Sequence, residues 1–200
     1  MQNKSRILPY ALSSVLVFGA LGLIVCATHQ ATSSSNDAAK QAQPATAEKS
    51  NYFLVFHENG RLYAFGDAAN YLLFMEHGEV PLTRTRIGGG PDGQTVVFGI
   101  TKDDAKMVGK PSTGEMFFDG KMGEVGAFYG EVFRDGRYYV FGEWKDFKDY
   151  LEHKEVAFTY TEIGAGPKGE TVIYALNKKT KDKGRPLELI EAFKQLRQKK

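Results

Sequence analysis

The sequence predicts an α+β protein built from two tandem ββαββ repeats, each an antiparallel sheet with a short packed helix, followed by a C-terminal helix. The main observation is an internal duplication. Shifting the chain by 76 residues aligns Gly60–Val96 with Gly136–Val172 without a gap, and 18 of the 37 aligned positions are identical. Unrelated segments of ordinary composition would share roughly two or three. The block is therefore one structural unit that occurs twice.

Each repeat is expected to begin with a β-hairpin. Tyr52–Phe56 is rich in β-branched and aromatic residues, and Asn59-Gly60 follows it. Asp135-Gly136 stands at the matching place in the second repeat. Asn-Gly and Asp-Gly adopt the positive φ angles that two-residue hairpin turns require. A short amphipathic helix should follow in each copy, over 67–77 and 143–153, where apolar residues recur at spacings of three and four.

The second half of each repeat contains a glycine-rich stretch between two extended segments. Val80–Ile87 and Val156–Ile163 read as extended, and 88–93 and 164–169 both fit the pattern G-x-G-x-x-G. That pattern binds dinucleotide phosphates where it joins a strand to the start of a helix. Here Thr-Val-Val-Phe and Thr-Val-Ile-Tyr follow, which are strand sequences, so we expect hairpin loops instead.

These signals define the domain boundaries. The first repeat covers residues 51–101 and the second covers 127–177, with an inter-repeat linker at 102–126 that holds a short helix around Met116–Phe118. Residues 178–200 form a basic loop and a C-terminal helix over Leu187–Gln198, where apolar residues have helical spacing.

The N-terminal region reads as an export segment and a tether. Residues 1–27 begin with Lys4 and Arg6 and continue as an uncharged apolar run, which is typical of a signal peptide or an N-terminal membrane anchor. Residues 28–50 are rich in Ala, Ser, Thr, Gln and Lys, and we interpret them as a flexible linker. The expected location is the bacterial cell envelope on the periplasmic side.

Cys26, the sole cysteine of the chain, ends the apolar run. With Leu23 three residues before it, the segment resembles the lipobox of bacterial lipoproteins, although Val25 stands where a smaller residue is usual. The resemblance implies lipidation of the Cys26 thiol. Three outcomes stay open: an uncleaved anchor, a lipoprotein, and a cleaved protein that is soluble in the periplasm. A single cysteine also permits no disulfide within the chain.

Charge and motif content exclude several classes of function. From Ala27 onward the chain has 24 basic and 24 acidic residues, which argues against a nucleic-acid partner. Serine is nearly absent after Ser50, and no G-x-S-x-G motif occurs. We therefore expect a protein that is not an enzyme and needs no cofactor.

Glu76-His77 and Glu152-His153 recur at the end of each predicted helix. Such a set could hold a metal in a carboxylate/His hydrolase. The expected role is capping instead, because a histidine in the last turn interacts favourably with the helix dipole. We therefore expect no metal.

The best functional signal is an arginine and a tyrosine on the same face of the second strand in each repeat. These residues are Arg61 and Tyr63 in the first repeat and Arg137 and Tyr139 in the second. Arg and Tyr are enriched where protein interfaces concentrate their binding energy. The favoured hypothesis is binding to another envelope protein, as an inhibitor or accessory, through two equivalent Arg–Tyr faces. The alternative is a small-ligand or cell-wall glycan binder, in which exposed aromatics line a cleft between the repeats. The aromatics proposed for this cleft are Tyr138, Tyr139, Tyr160 and Trp144.

Overall fold

The computed structural model describes residues 51–122 and 126–199. These residues form a mixed α+β fold with one eight-stranded sheet and five helices, so the predicted α+β class is confirmed. The segments 1–27 and 28–50, with Cys26, lie outside the described residues. No helix within the described part of the chain is both long enough and apolar enough to cross a membrane.

The elements follow one another in two similar series. The strands are β1 (Asn51–Glu58), β2 (Arg61–Phe65), β3 (Thr83–Arg86), β4 (Thr95–Gly99), β5 (Phe128–Arg134), β6 (Arg137–Phe141), β7 (Phe158–Glu162) and β8 (Thr171–Leu176). The helices are α1 (Ala68–His77), α2 (Lys102–Lys106), α3 (Thr113–Phe118), α4 (Trp144–His153) and α5 (Leu187–Gln198). The terminal helix α5 occupies the segment that its apolar spacing predicts.

The strand order across the sheet is β3-β4-β2-β1-β5-β6-β8-β7. The expectation of an antiparallel sheet is wrong in part, because β1 pairs with β5, β2 with β4, and β6 with β8 in parallel. In each half the helix forms a crossover that returns the chain to the same sheet. The apolar strands that follow the glycine-rich loops, β4 and β8, pair with β2 and β6. The more polar strands that precede these loops, β3 and β7, lie at the edges of the sheet.

Helices cover both faces of the sheet. One core layer includes Phe74 of α1 and Phe193 of α5, and we call this side the α1 face. The other includes Phe117 of α3 and Phe147 of α4, and we call it the α4 face. Because successive strand residues point to opposite faces, β1 is buried on both sides, and Phe53, Leu54 and Val55 are fully inaccessible.

Both predicted hairpin turns are present. Asn59 and Gly60 have φ values of 50° and 70°, and Asp135 and Gly136 have 52° and 70°. Positive φ at both central positions matches the right-handed twist of the flanking strands. The β1–β2 and β5–β6 pairs follow in antiparallel register.

The helices begin and end close to their predicted limits. Asp67 caps α1 by accepting a hydrogen bond from the Asn70 backbone, and Gly78 ends the helix in the left-handed conformation. The extended segments are shorter than predicted, since only Thr83–Arg86 and Phe158–Glu162 pair as strands. Pro81 lacks a backbone donor, which keeps the start of the first segment out of the ladder.

The segment predicted as an inter-repeat linker contains α2 and α3 and is tied to the edge strand β3. Arg84 pairs with Glu115 of α3 at 2.8 Å, and Arg86 pairs with Glu115 and Asp119. Both arginines are only partly exposed, so these ion pairs are better shielded than ordinary surface pairs. They attach α3 to the α4 face.

Gly66 and Gly142 occupy matching positions and give a paired test of packing. A Cβ at Gly66 would fall against the backbone of Thr113 and Gly114, whereas at Gly142 it would meet the mobile tip of the Leu189 side chain at 3.0 Å. We predict that Gly66→Ala lowers the free energy of unfolding by about 3 kcal/mol, because backbone cannot move aside. Gly142→Ala should cost less than about 1 kcal/mol. Urea denaturation of both variants measures the difference, and equal losses would contradict the packing described.

Candidate functional site

All four hairpin connections lie at one end of the sheet. β1 and β5 run in parallel, so their turns to β2 and β6 share an end. Arg61, the first residue of β2, lies opposite Thr95, the first residue of β4, and Arg137 of β6 lies opposite Thr171, the first residue of β8. The loops that precede β4 and β8 therefore lie at this same end of the sheet. We call residues 58–61, 87–94, 134–137 and 163–170 the hairpin end. Asn51, where the described chain begins, lies at the opposite end.

The two glycine-rich stretches are hairpin loops, as predicted, and they close in the same way. The Gly90 backbone donates to the Gln94 carbonyl at 2.9 Å, and Gly166 donates to Glu170 at the same distance. Each loop joins two antiparallel strands instead of a strand and a helix. The backbone groups that would cradle a phosphate at a helix start are therefore used within the loop.

Each loop begins with an isoleucine that projects into solvent. Ile87 is 90% exposed and Ile163 is 89% exposed. Single exposed apolar residues are ordinary on protein surfaces. These two differ because they occupy the same position in both halves and lie at the same end of the sheet. Sequence reasoning missed them, because the alignment marks Ile87 and Ile163 as identical but gives no exposure.

Arg61 and Arg137 also lie at the hairpin end, and both are exposed. Arg61 lies opposite Glu58 of β1, and Arg137 lies opposite Arg134 of β5. Within residues 51–122 and 126–199 neither guanidinium forms an ion pair or a side-chain hydrogen bond. Both are therefore available to an external partner.

Tyr63 and Tyr139, the other two predicted binding residues, are half-buried packing residues. Tyr63 contacts Phe74 of α1 with ring centroids 4.4 Å apart, and Tyr139 stacks on Tyr150 of α4 at 5.0 Å. The two tyrosines therefore lie on opposite faces of the sheet. Arg61 and Arg137 share one end of the molecule, but the two Arg–Tyr pairs do not form one continuous face.

The structure also separates the four residues of the hydrolase hypothesis. Glu76 and His77 end α1 on one face, and Glu152 and His153 end α4 on the other, all with exposed side chains. No group of three or more His, Cys, Asp or Glu side chains among the described residues is arranged to hold a metal ion.

The aromatics of the ligand hypothesis are divided in the same way. Tyr138 and Tyr160 lie on the α1 face, and Tyr139 and Trp144 on the α4 face. A groove of about 630 Å³ does lie at the end opposite the hairpins, beside the start of α5. Its walls include Phe128, Leu176, Leu187 and Leu189, and its rim includes Lys183 and Arg185.

A buried carboxylate joins three elements beneath the α1 face. Glu131 of β5 is fully inaccessible, and it accepts hydrogen bonds from the hydroxyls of Tyr71 at 2.5 Å and Tyr129 at 2.6 Å. Arg197 of α5 donates to both of its oxygens, at 2.7 and 3.1 Å. All polar atoms of the cluster are thus satisfied, as a buried charge requires. We call these four residues the Glu131 cluster.

The Glu131 cluster raises the proton affinity of its tyrosines. Burial, reinforced by the negative charge of Glu131, raises the pKa of Tyr71 and of Tyr129 well above the usual 10. Burial also raises the pKa of Tyr138 and of Tyr150 to about 12. All four hydroxyls stay protonated at neutral pH, and those of Tyr71 and Tyr129 donate to Glu131.

His57 lies near the end of β1 and is half-buried. Burial, with the positive charges of Arg134 and Lys154, lowers the pKa of His57 to about 4. The imidazole is therefore neutral at physiological pH, and it adds no charge beside the hairpin end.

No protein-family model, curated protein or solved structure matches the chain. What the protein does must therefore be argued from its own residues.

The Glu131 cluster predicts a strong coupling between its charged members. Arg197→Met should destabilise the protein by about 3–5 kcal/mol, because it leaves the buried Glu131 carboxylate without a counter-charge. Adding Glu131→Gln should recover much of that loss, since an amide is neutral. Its oxygen can accept from one tyrosine hydroxyl, and its NH2 group can donate to the other. Urea denaturation of both single variants and the double variant gives the coupling energy. Additive losses would show that the two side chains do not interact.

The raised tyrosine pKa values predict a loss of stability in alkali. A tyrosine whose folded pKa exceeds its unfolded value of about 10 contributes stability that is present below pH 10 and is lost as pH rises toward 12. Each buried tyrosine should steepen the fall by about 1.4 kcal/mol per pH unit. Denaturant titrations between pH 8 and about 11.5 measure the slope. Tyr71→Phe should reduce the slope of stability against pH by the contribution of one tyrosine. An unchanged slope would argue against burial of the Tyr71 hydroxyl.

Proposed function

We propose that residues 51–101 and 127–177 are two copies of one ββαββ unit, related by a pseudo-twofold axis that runs along the strands. Three features support this. The 76-residue shift aligns β1–β4 with β5–β8, the strand order reads the same from either edge, and β1 and β5 are parallel at the centre. A twofold axis in the plane of the sheet exchanges its faces. That exchange accounts for α1 and α4 lying on opposite sides.

We further propose that the protein is non-catalytic and binds another envelope protein through the hairpin end. The observation that carries the proposal is the pair Ile87 and Ile163, each about nine-tenths exposed at the start of a matching loop. Arg61 and Arg137 lie between the two loops without partners of their own in the described chain. Arginine is enriched among the residues that contribute most to protein interfaces, and the buried centre of an interface is more apolar than its rim.

The energies are adequate for specific recognition. Burying one isoleucine fully contributes about 1.5–3 kcal/mol, so two anchors contribute about 3–6 kcal/mol before the arginines are counted. A gain of 1.4 kcal/mol is a tenfold change in affinity, so the anchors alone can change the affinity by about a hundredfold or more.

The location of the hairpin end suits a protein tethered at its N-terminus. We propose that residues 1–27 act as an export signal or membrane anchor, with Cys26 as a lipidation site in the lipoprotein case, and that 28–50 form the tether. The chain enters β1 at Asn51, at the end of the sheet opposite the hairpins. The proposed binding surface therefore faces away from the point of attachment.

The groove beside α5 supports a second candidate function, the binding of a small ligand or glycan at the end opposite the hairpins. In the first copy the backbone of Gly114 lies against Gly66, whereas in the second copy the Leu189 side chain lies beside Gly142 and lines the groove. A ligand held there would be insensitive to changes at the hairpin end.

The proposal predicts that two double variants lose partner binding without losing stability. Full-length protein serves as bait in envelope extract, and the captured protein is then titrated against each variant. Ile87→Thr with Ile163→Thr should weaken binding by about 30-fold or more, equivalent to about 2 kcal/mol. Arg61→Ala with Arg137→Ala should also abolish capture. Melting temperatures should stay nearly unchanged, because all four side chains are exposed.

Val108→Thr supplies the matched control. Val108 is 91% exposed but lies between α2 and α3, outside the hairpin end, so binding should be unaffected. Equal retention of the partner by wild type and both double variants would overturn the proposed surface. A large fall in melting temperature would assign the residues a structural role instead.

A further inference from the structure

We infer that the partner is a homodimer, and that each of its subunits offers an equivalent apolar pocket to one of the two isoleucine loops. The inference rests on the proposed function and specifies the symmetry of the partner. It begins from the near identity of the loops. Ile-Gly-Gly-Gly-Pro-Asp-Gly over 87–93 matches Ile-Gly-Ala-Gly-Pro-Lys-Gly over 163–169, with the same backbone hydrogen bonds.

The loops also match in backbone conformation. Gly88 and Gly164 have φ values of 67° and 74°, and Gly93 and Gly169 have 73° and 84°. The isoleucine exposures differ by one percentage point. Each loop therefore presents nearly the same shape, and a pocket that accepts one will accept the other.

The placement of the loops allows both to bind at once. They lie at the same end of the sheet, between the two outermost strands on each side. Six strand spacings of about 4.8 Å separate them, or about 29 Å before the twist of the sheet is considered. A partner must therefore present two pockets at a similar separation on one surface.

A homodimer meets that requirement most simply. Its twofold axis generates the second pocket from the first, at a fixed distance and in the orientation that the pseudo-twofold axis of this chain needs. A partner without symmetry would need two unrelated sites that happen to recognise the same loop.

The differences between the loops show which features the pocket can recognise. Asp92 is replaced by Lys168, and Gln94 by Glu170, so the charge of the turn is not shared. The isoleucine, the glycine backbone and the proline are common to both. The equivalent pockets should therefore be apolar, and Asp92 and Lys168 should remain at the rim.

Two linked contacts also explain how modest anchors could give firm binding. Once one loop is seated, the second contact forms within the complex, and the effective concentration can reach the millimolar range when the spacing matches. The overall affinity of the two-loop contact then exceeds the affinity of either loop alone by a factor of about 10²–10⁴.

Site-specific photocrosslinking in the cell of origin tests the inference with the full-length chain. The photoreactive residue p-benzoylphenylalanine replaces Asp92, Lys168, or both, which are exposed at the rim of the proposed contacts and leave both isoleucines in place. The same replacement of Val108 serves as the control. The expected result is one polypeptide trapped from both positions. The doubly labelled chain should also give an adduct whose mass equals one chain plus two copies of that polypeptide. The Val108 control should not trap it.

Other outcomes overturn the inference. Different polypeptides at the two positions, or a doubly labelled chain that never carries more than one copy, would exclude a homodimeric partner while leaving protein binding intact. Trapping of lipid or of a second copy of this chain would replace the partner class altogether. Failure to trap any protein at either position would count against the proposed function itself.

Discussion

The bidentate ion pair between Glu131 and Arg197 is the interaction that holds the two halves in one arrangement on the α1 face. It lies in the interior, where a charge is tolerated only with full compensation, and two tyrosine hydroxyls complete that compensation. The participants come from α1 of the first half and from β5 and α5 of the second. Moving any of these elements would leave a buried polar group unsatisfied, so the cluster fixes their positions together.

The central parallel pairing of β1 with β5 then determines what the molecule presents to solvent. Because helices cover both faces, the broad surfaces of the sheet are used for packing. The parallel register gives the two halves the same direction, so all their hairpin connections meet at one end. Had β1 and β5 paired antiparallel, the two glycine loops would lie at opposite ends of the sheet. The meeting of both glycine loops at the hairpin end is thus a consequence of strand direction.

Local signals made much of the fold predictable. Asn59-Gly60, Asp135-Gly136 and the apolar spacing of α5 each specify their structure within a few residues. Strand direction, the exchange of faces and the partners of Glu131 depend on contacts between residues distant in sequence, which no local pattern encodes. One available hint was that Glu131, an acid in the middle of a mostly apolar strand, aligns with Val55. The placement of Tyr63 and Tyr139 on opposite faces of the sheet is likewise not visible in any local pattern.

The distribution of identities between the two halves separates structural from functional constraint. Over 68–75, which covers most of α1, no residue matches its copy in α4, although both helices pack in the core. Over 83–96, nine of the fourteen positions match, although many of their side chains are exposed. The glycines and proline are explained by the loop conformation. Ile87 and Ile163 are not, because a polar residue would be better solvated at either position and would leave the hairpin intact. We propose that their shared presence reflects a contact outside the chain, which both loops make in the same way.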